Sequence, residues 1–170
     1  MYQIGDYVVK ANCGLCRIEN IQHLDMAGAT KDRLYYLLVP VADERSRVYV
    51  PVDGEASNLR KVLKPEEAWE MIERIPEIEE VSVVNEKQRE QSYKEAVKSC
   101  RPEAWVSLLK RIYTRREKRY AQGKKNTAID DHYFKIAEEY LYSELAFAIG
   151  RPKSEMTQII ADVLGEPSRR

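Results

Sequence analysis

Two cysteines stand three positions apart near the start of the chain, in the segment Cys13-Gly-Leu-Cys16. A Cys-x-x-Cys pair supports redox chemistry when a helix N-terminus lowers the pKa of its first thiol. Here the pair occupies a turn that enters a predicted strand, so no helix supplies that effect. A zinc site needs four ligands, and the chain has no second Cys pair; Cys100 and His23 could complete a site only if the two domains met at that point. We expect turn or core cysteines, with a redox- or zinc-responsive sensor as an alternative.

The segment Asp130-Asp131-His132-Tyr133 places a histidine beside two acids, near a predicted helix start. Such a group can act as a general base or hold a metal, but it needs a nucleophile or a second ligand. We expect an ion pair on a helix surface. The sequence shows no glycine-rich phosphate loop and no Ser/His/Asp-type cluster. We therefore expect a protein that is not an enzyme and uses neither a cofactor nor a metal.

A basic segment is the best candidate for binding phosphate. Residues 101–125 carry nine basic and two acidic side chains, although the net charge of the whole chain is zero. Helical spacing places four of the cations on one face, where Glu117 is the main nearby acid: Arg111, Arg115, Lys118 and Arg119. Such a face suits contact with the DNA backbone, which gives affinity without base reading. The alternative is a solvated face that balances the acidic residues 65–90.

The chain has 170 residues, enough for one compact domain or two small ones. No apolar run approaches the roughly 20 residues of a membrane span. The N-terminus lacks a basic, then apolar, then small-residue signal pattern. We therefore expect a cytoplasmic protein with no membrane partner.

The first 62 residues have the pattern of a small β domain. Short β-branched or aromatic runs alternate with turn-forming stretches, and they include residues 7–9, 16–21, 34–39 and 47–52. Four or five such strands predict a strongly bent antiparallel sheet of the SH3 or Tudor kind.

The pattern changes at Pro65, which is followed by two glutamates, as in the first turn of a helix. We predict a connecting helix to about Ile75 and a linker at 76–85, so that residues 63–85 join the two domains. Further helices are predicted at 86–99, 102–122, 128–149 and 152–164. Pro102 can begin one of them, Thr127 with Asp130 resembles a capping box, and Gly123 and Gly150 are breaks. The fold class is α+β, with a β domain at 1–62 and a helical domain at 86–170.

The N-terminal motifs resemble a known family. The chain has Gly5-Asp6-x-Val8-Val9, then Gly14, and later Val50-Pro51-Val52-Asp53 with Leu59-Arg60. This combination resembles the CarD/CdnL family of bacterial transcription regulators. The resemblance implies a Tudor-like domain that pairs a strand edge with the RNA polymerase β subunit. It also implies a helical domain that contacts promoter DNA at the upstream edge of the bubble, with little sequence specificity and no small-molecule substrate.

The resemblance also implies candidate site residues. The positions that match the family's polymerase contacts are Leu24, before Gly28, and Tyr49, on strand 45–50. With Arg47, one alternation away, and Met26, they are the predicted polymerase-binding residues. Lys94 matches the family's phosphate-contacting lysine. Arg89 stands where the family usually has a tryptophan that enters the minor groove. With the basic segment, the predicted DNA-binding residues are Arg89, Lys94, Arg111, Arg115, Arg116 and Arg119.

Arg89 is the main departure from the family pattern. An arginine can enter a narrow minor groove through its charge, but it does not unstack bases as an indole does. The two tryptophans, Trp69 and Trp105, lie elsewhere and are expected to pack. A protein-interaction module that never meets DNA is therefore the alternative to a DNA-contacting regulator.

Overall fold

The computed structural model describes residues 1–25, 27–28, 32–53 and 58–165. The chain forms two compact units, Met1–Val62 and Leu63–Arg170. We refer to them as the β domain and the helical domain.

The β domain is one curled antiparallel sheet of five strands, in the spatial order β4-β3-β2-β1-β5. The strands are β1 (Tyr7–Lys10), β2 (Gly14–His23), β3 (Leu34–Pro40), β4 (Val48–Pro51) and β5 (Leu59–Lys61). The register of β2 against β3 shifts between Ile18 and Asn20, a bulge that bends the strand. The prediction of a small, bent antiparallel sheet is confirmed.

The concave side of this sheet holds the core of the β domain. The alternate residues Cys16 and Ile18 of β2 are fully buried in this core, together with Val8 of β1. The other strands add Tyr36, Leu38 and Val50. Each large apolar side chain buried in this way stabilises the domain by about 1.5–3 kcal/mol. The strands therefore curl around a core of their own.

The described residues of the helical domain form five α-helices: α1 (Pro65–Arg74), α2 (Arg89–Lys98), α3 (Pro102–Ala121), α4 (Ala128–Ile149) and α5 (Met156–Leu164). Single 3-10 turns precede α2, at Glu86–Gln88, and α5, at Lys153–Glu155. These turns shorten the two helices relative to the prediction. The prediction of a helical C-terminal half is confirmed.

Local chemistry sets the ends of the helices. Pro65 and Pro102 each occupy the first helical position, where the missing N–H costs nothing. The Thr127 hydroxyl caps α4 by accepting a hydrogen bond from the Asp130 N–H at 3.1 Å. Gly150, with φ of 68°, ends α4 in the left-handed conformation that glycine adopts without strain. The sequence predicts these helix ends from the same residues.

The segment predicted as a linker runs along α3. The Val81 N–H donates to the Ser107 carbonyl at 3.2 Å, and Lys110 Nζ donates to the Ile78 carbonyl at 2.6 Å. The Thr114 hydroxyl also bonds to the Glu80 carboxylate. Residues 78–81 are therefore part of the helical domain's packing.

The helical core lies between α3 and α4. Trp105, Leu108 and Ile112 of α3 are buried there with Leu141 and Leu145 of α4. The Trp105 ring packs at 5.6 Å from that of Tyr140, as expected of a packing tryptophan, whereas Trp69 is about two-fifths exposed. None of the helices in the described residues has the length and apolar character that a membrane span requires.

Candidate functional site

Strand β4 lies at one edge of the sheet, because only β3 pairs with it within the described residues. Tyr49, opposite Leu37 in the register, is 39% exposed. Leu24 is half-buried just after the end of β2. Met26 lies outside the described residues. An edge strand carries unpaired backbone N–H and C=O groups, which are the groups that strand addition uses.

Arg47 fixes the turn that leads into β4. Its Nη1 donates to the carbonyls of Glu44 at 2.7 Å and Ser46 at 3.0 Å. Its Nε lies 3.6 Å from the carboxylate of Glu19, which also lies 3.8 Å from Arg17. Arg47 is nearly half exposed, so its guanidinium holds the turn while it remains accessible beside Tyr49.

The helical domain has a polar groove of about 300 Å³ along α3. We call this the basic groove. Five cations and two carboxylates line it, together with Thr114: Arg89, Arg111, Arg115, Lys118 and Arg119, with Glu80 and Glu86. The four α3 cations expected on one helix face thus line one groove. Its net positive charge suits an anion.

Acids from distant parts of the chain neutralise some of these cations. Glu80 lies 3.8 Å from Arg111, and Glu86 lies 3.5 Å from Arg115. Arg115 Nε also lies 3.3 Å from Oδ2 of Asp130 on α4. The expectation that Glu117 is the main acid near this face is therefore wrong. Only the fold brings these other carboxylates to α3.

Asp130 is the buried centre of this network. From the sequence we predict for it only the roles of a cap residue and a neighbour of His132. Its side chain is completely buried, and its Oδ1 accepts a hydrogen bond from the Tyr93 hydroxyl at 3.0 Å. Burial is the main cause that raises the pKa of Tyr93. One carboxylate thereby joins α2, α3 and α4. The Thr127 cap is the local signal that pointed to this position.

Arg89 is held inside the protein. Its Nη2 and Nε donate to the two carboxylate oxygens of Glu86 at 2.6 and 3.0 Å, and its Nη1 donates to the Tyr93 hydroxyl at 3.1 Å. The side chain is only 11% exposed. The bonds from Arg89 lower the pKa of Glu86 to about 2 and raise the pKa of Arg89 above its usual value. The guanidinium therefore organises the wall of the groove.

The other predicted DNA-binding cations differ in how far they are engaged. Arg116 stacks on Phe134, 4.6 Å from its ring centroid, and lies 4.0 Å from Asp131. Arg119 Nε donates to the Lys125 carbonyl at 2.8 Å. Lys94 is exposed and lies 3.9 Å from Glu90.

Lys118 is the least engaged cation of the basic groove. It is exposed, and no acidic side chain of the described residues lies within 4.0 Å of it. Arg111, paired at 3.8 Å, is also partly accessible. DNA binding by the six predicted residues stays a prediction.

A comparison with protein-family models finds one match, to the CarD-like/TRCF RID domain, over residues 2–63. The match spans the β domain. This confirms the resemblance that the glycine, Val-Val and Val-Pro-Val-Asp motifs had indicated. A RID domain interacts with the β subunit of RNA polymerase, which supports a polymerase-binding regulator of transcription. No curated protein matches the chain.

Cys13 and Cys16 both belong to the RID domain. Cys13 is half-buried in the turn between β1 and β2, and Cys16 is fully buried on β2. Both are thiols, as is Cys100. The part of the chain that the structure describes contains no group of three or more His, Cys, Asp or Glu residues arranged to hold a metal ion.

His132 lies on the exposed side of α4, away from any catalytic arrangement of described residues. Its ring packs at 5.0 Å against the edge of Tyr133. The ion pair expected for it does not form with any described acid, since Asp130 pairs with Arg115 and Asp131 with Arg116.

Proposed function

We propose that this chain is a cytoplasmic, non-catalytic regulator of transcription initiation that docks on bacterial RNA polymerase through β4. The supporting observation is that β4 is an edge strand of a RID domain. The strand adds to an exposed strand of the polymerase β subunit by backbone pairing. Tyr49 and Arg47 supply side-chain contacts, and Leu24 and Met26 are the other residues proposed to take part.

We further propose that the helical domain touches promoter DNA through the basic groove. Lys118 of the groove and Lys94, outside it on α2, contact backbone phosphates, with Arg111 and Arg119 beside Lys118 in the groove. Arg89 and Arg115 act mainly by shaping the groove, because Arg89 hydrogen-bonds to Glu86 and Arg115 pairs with Asp130. Arg116 does not line the groove and is engaged by Asp131 and Phe134. This interface holds DNA by charge without a wedge that unstacks bases.

Two weak contacts in series suit such a regulator. Docking on polymerase places the helical domain near DNA and raises its effective concentration there. The phosphate contacts then need little affinity of their own.

The test of docking is calorimetry with the isolated outer lobe of the polymerase β subunit. The full chain should bind saturably, and the Tyr49→Glu/Arg47→Glu variant should lose at least tenfold in affinity. Lys61→Glu, on the opposite edge strand β5, is the matched charge-reversal control and should bind normally. Absence of binding by the unmodified chain, or equal loss in the control, would contradict docking through β4.

A second candidate function is a protein-interaction module that binds polymerase without touching DNA. The ion pairs of Arg111 and Arg115 with Glu80, Glu86 and Asp130 favour it. Fluorescence anisotropy on forked promoter DNA, with and without polymerase, separates the two. If the protein adds no DNA contact to the polymerase complex at low salt, the module without DNA binding is the better description.

A further inference from the structure

The turn between β1 and β2 places two thiols against each other. The Cys13 N–H donates to the Lys10 carbonyl at 3.1 Å, and Asn12 and Gly14 both have positive φ, of 65° and 73°. This tight turn folds Cys13 back against the core cluster that contains Cys16. Cys13 thus packs close to Cys16, and a hydrogen bond from the Cys16 thiol favours the ionised form of Cys13 and lowers its pKa.

The surroundings of Cys13 favour its thiolate. The hydrogen bond from Cys16 is the main cause that lowers the pKa of Cys13 to about 6, and the charge of Lys10 adds to it against the opposing effect of burial. The sequence had shown no helix N-terminus to activate the thiol. The structure supplies a different source of activation, from within a hairpin turn.

The two cysteines also differ in accessibility. Cys13 is half-buried, so a small reagent can reach its sulfur, whereas Cys16 is fully buried. The Cys16 thiol has a second acceptor, the Gly14 carbonyl at 3.4 Å. The proton of the Cys16 thiol cannot serve both acceptors fully. Ionisation of Cys13 therefore directs this proton toward the Cys13 sulfur. An accessible thiolate backed by a buried thiol is the arrangement that thiol–disulfide exchange requires.

We propose that Cys13 and Cys16 form a redox-active dithiol that is oxidised by small-molecule disulfides. The Cys13 thiolate attacks one sulfur of the disulfide, forms a mixed disulfide and releases one small thiolate. Cys16 then loses its proton and attacks the Cys13 sulfur, which forms the Cys13–Cys16 disulfide and releases the second small thiolate. The two cysteines give up two electrons and the small disulfide becomes two thiols. Cys100, on the helical domain, takes no part.

The first test measures the rate at which iodoacetamide alkylates each cysteine of the full chain as a function of pH, by mass spectrometry of peptides. The rate at Cys13 should have its midpoint near pH 6. In Cys16→Ala this midpoint should rise toward about 8.5, the value of an ordinary thiol, because the hydrogen bond is lost. A midpoint above about pH 8 for Cys13 in the unmodified chain would overturn the proposal.

The second test treats the reduced Cys100→Ser protein with oxidised glutathione. It should lose two hydrogens and carry an intramolecular disulfide between Cys13 and Cys16. The Cys16→Ala/Cys100→Ser variant should stop at glutathione bound to Cys13, and the Cys13→Ser/Cys100→Ser variant should stay reduced. A Cys100→Ser protein that stays reduced or stops at the mixed disulfide would overturn the proposal. The result for the Cys100→Ser protein does not depend on replacing the buried Cys16.

Discussion

Arg115 on α3 and Asp130 on α4 form a buried ion pair, with Arg115 Nε 3.3 Å from Oδ2 of Asp130. The other carboxylate oxygen of Asp130 accepts a hydrogen bond from the Tyr93 hydroxyl on α2. Three helices therefore meet at one carboxylate. This relationship fixes the direction of Arg115 and, with Glu86, the shape of the basic groove beside it.

Replacing Asp130 by alanine should destabilise the helical domain by about 3 kcal/mol. The change leaves the Tyr93 hydroxyl without its acceptor and the Arg115 guanidinium without its buried ion-pair partner, which costs more than the loss of a surface pair. Both tryptophans belong to the helical domain, so urea unfolding followed by tryptophan fluorescence reports on it. Asp131→Ala, at an exposed pair, is the control and should cost under about 1 kcal/mol. Equal losses in the two variants would mean that Asp130 is not the centre of the network.

The Glu86 carboxyl should titrate well below the usual range of a glutamate. The bonds from Arg89 lower its folded pKa to about 2. Because the folded pKa lies below the unfolded one, this contribution to stability is present above about pH 4.5 and is lost as the pH falls toward about 2. Carbon-13 NMR of the carboxyl should show Glu86 still ionised at about pH 3.5.

The Arg89→Gln variant tests the cause of that lowered pKa. Without the guanidinium, the Glu86 midpoint should rise toward its ordinary value, although Arg115 still lies 3.5 Å away. Arg74→Gln, at the end of α1, is a control that should leave the Glu86 midpoint unchanged. A midpoint that stays near pH 2 in Arg89→Gln would assign the effect to Arg115 instead.

If the helical domain binds DNA as proposed, the salt dependence of binding should fall when two exposed lysines are removed: Lys118, which lines the basic groove, and Lys94 on α2, which lies outside it. Each phosphate contact contributes about one unit to the slope of log affinity against log salt. Lys94→Ala/Lys118→Ala should therefore reduce the slope by about 2 in anisotropy measurements on forked promoter DNA. Lys135→Ala, an exposed lysine of α4 that is not among the proposed phosphate contacts, should leave the slope unchanged. A slope that the double variant does not alter would place any DNA contact elsewhere.

The contribution of the Thr127 cap of α4 to the stability of the helical domain should be measurable on its own. Thr127→Ala removes the acceptor of the Asp130 N–H and should destabilise the helical domain by about 1 kcal/mol. Thr127→Ser keeps the hydroxyl and should recover most of that loss in the same urea unfolding experiment. If serine is no better than alanine, the hydroxyl hydrogen bond is not what stabilises this end of α4.

The sequence by itself determined the features that depend on near neighbours. The helix ends were predicted correctly because the residues that set them act within one helical turn: Pro65, Pro102, Thr127 and Gly150. Short β-branched and aromatic runs between turn-forming stretches likewise predicted the β domain, and its motifs indicated the family whose model matches residues 2–63. The two 3-10 turns were missed, because their hydrogen bonds differ from those of a helix by a single residue in spacing.

Only the tertiary structure decided which charges meet and which strand is left at an edge. The sequence showed the cations of α3, but Glu80, Glu86 and Asp130 reach them through chain folding, which no local spacing encodes. The sheet order made β4 an edge strand, and a turn with two positive φ values brought Cys13 to Cys16. Charge and thiol chemistry depend on distances of a few ångströms, and long-range packing sets those distances.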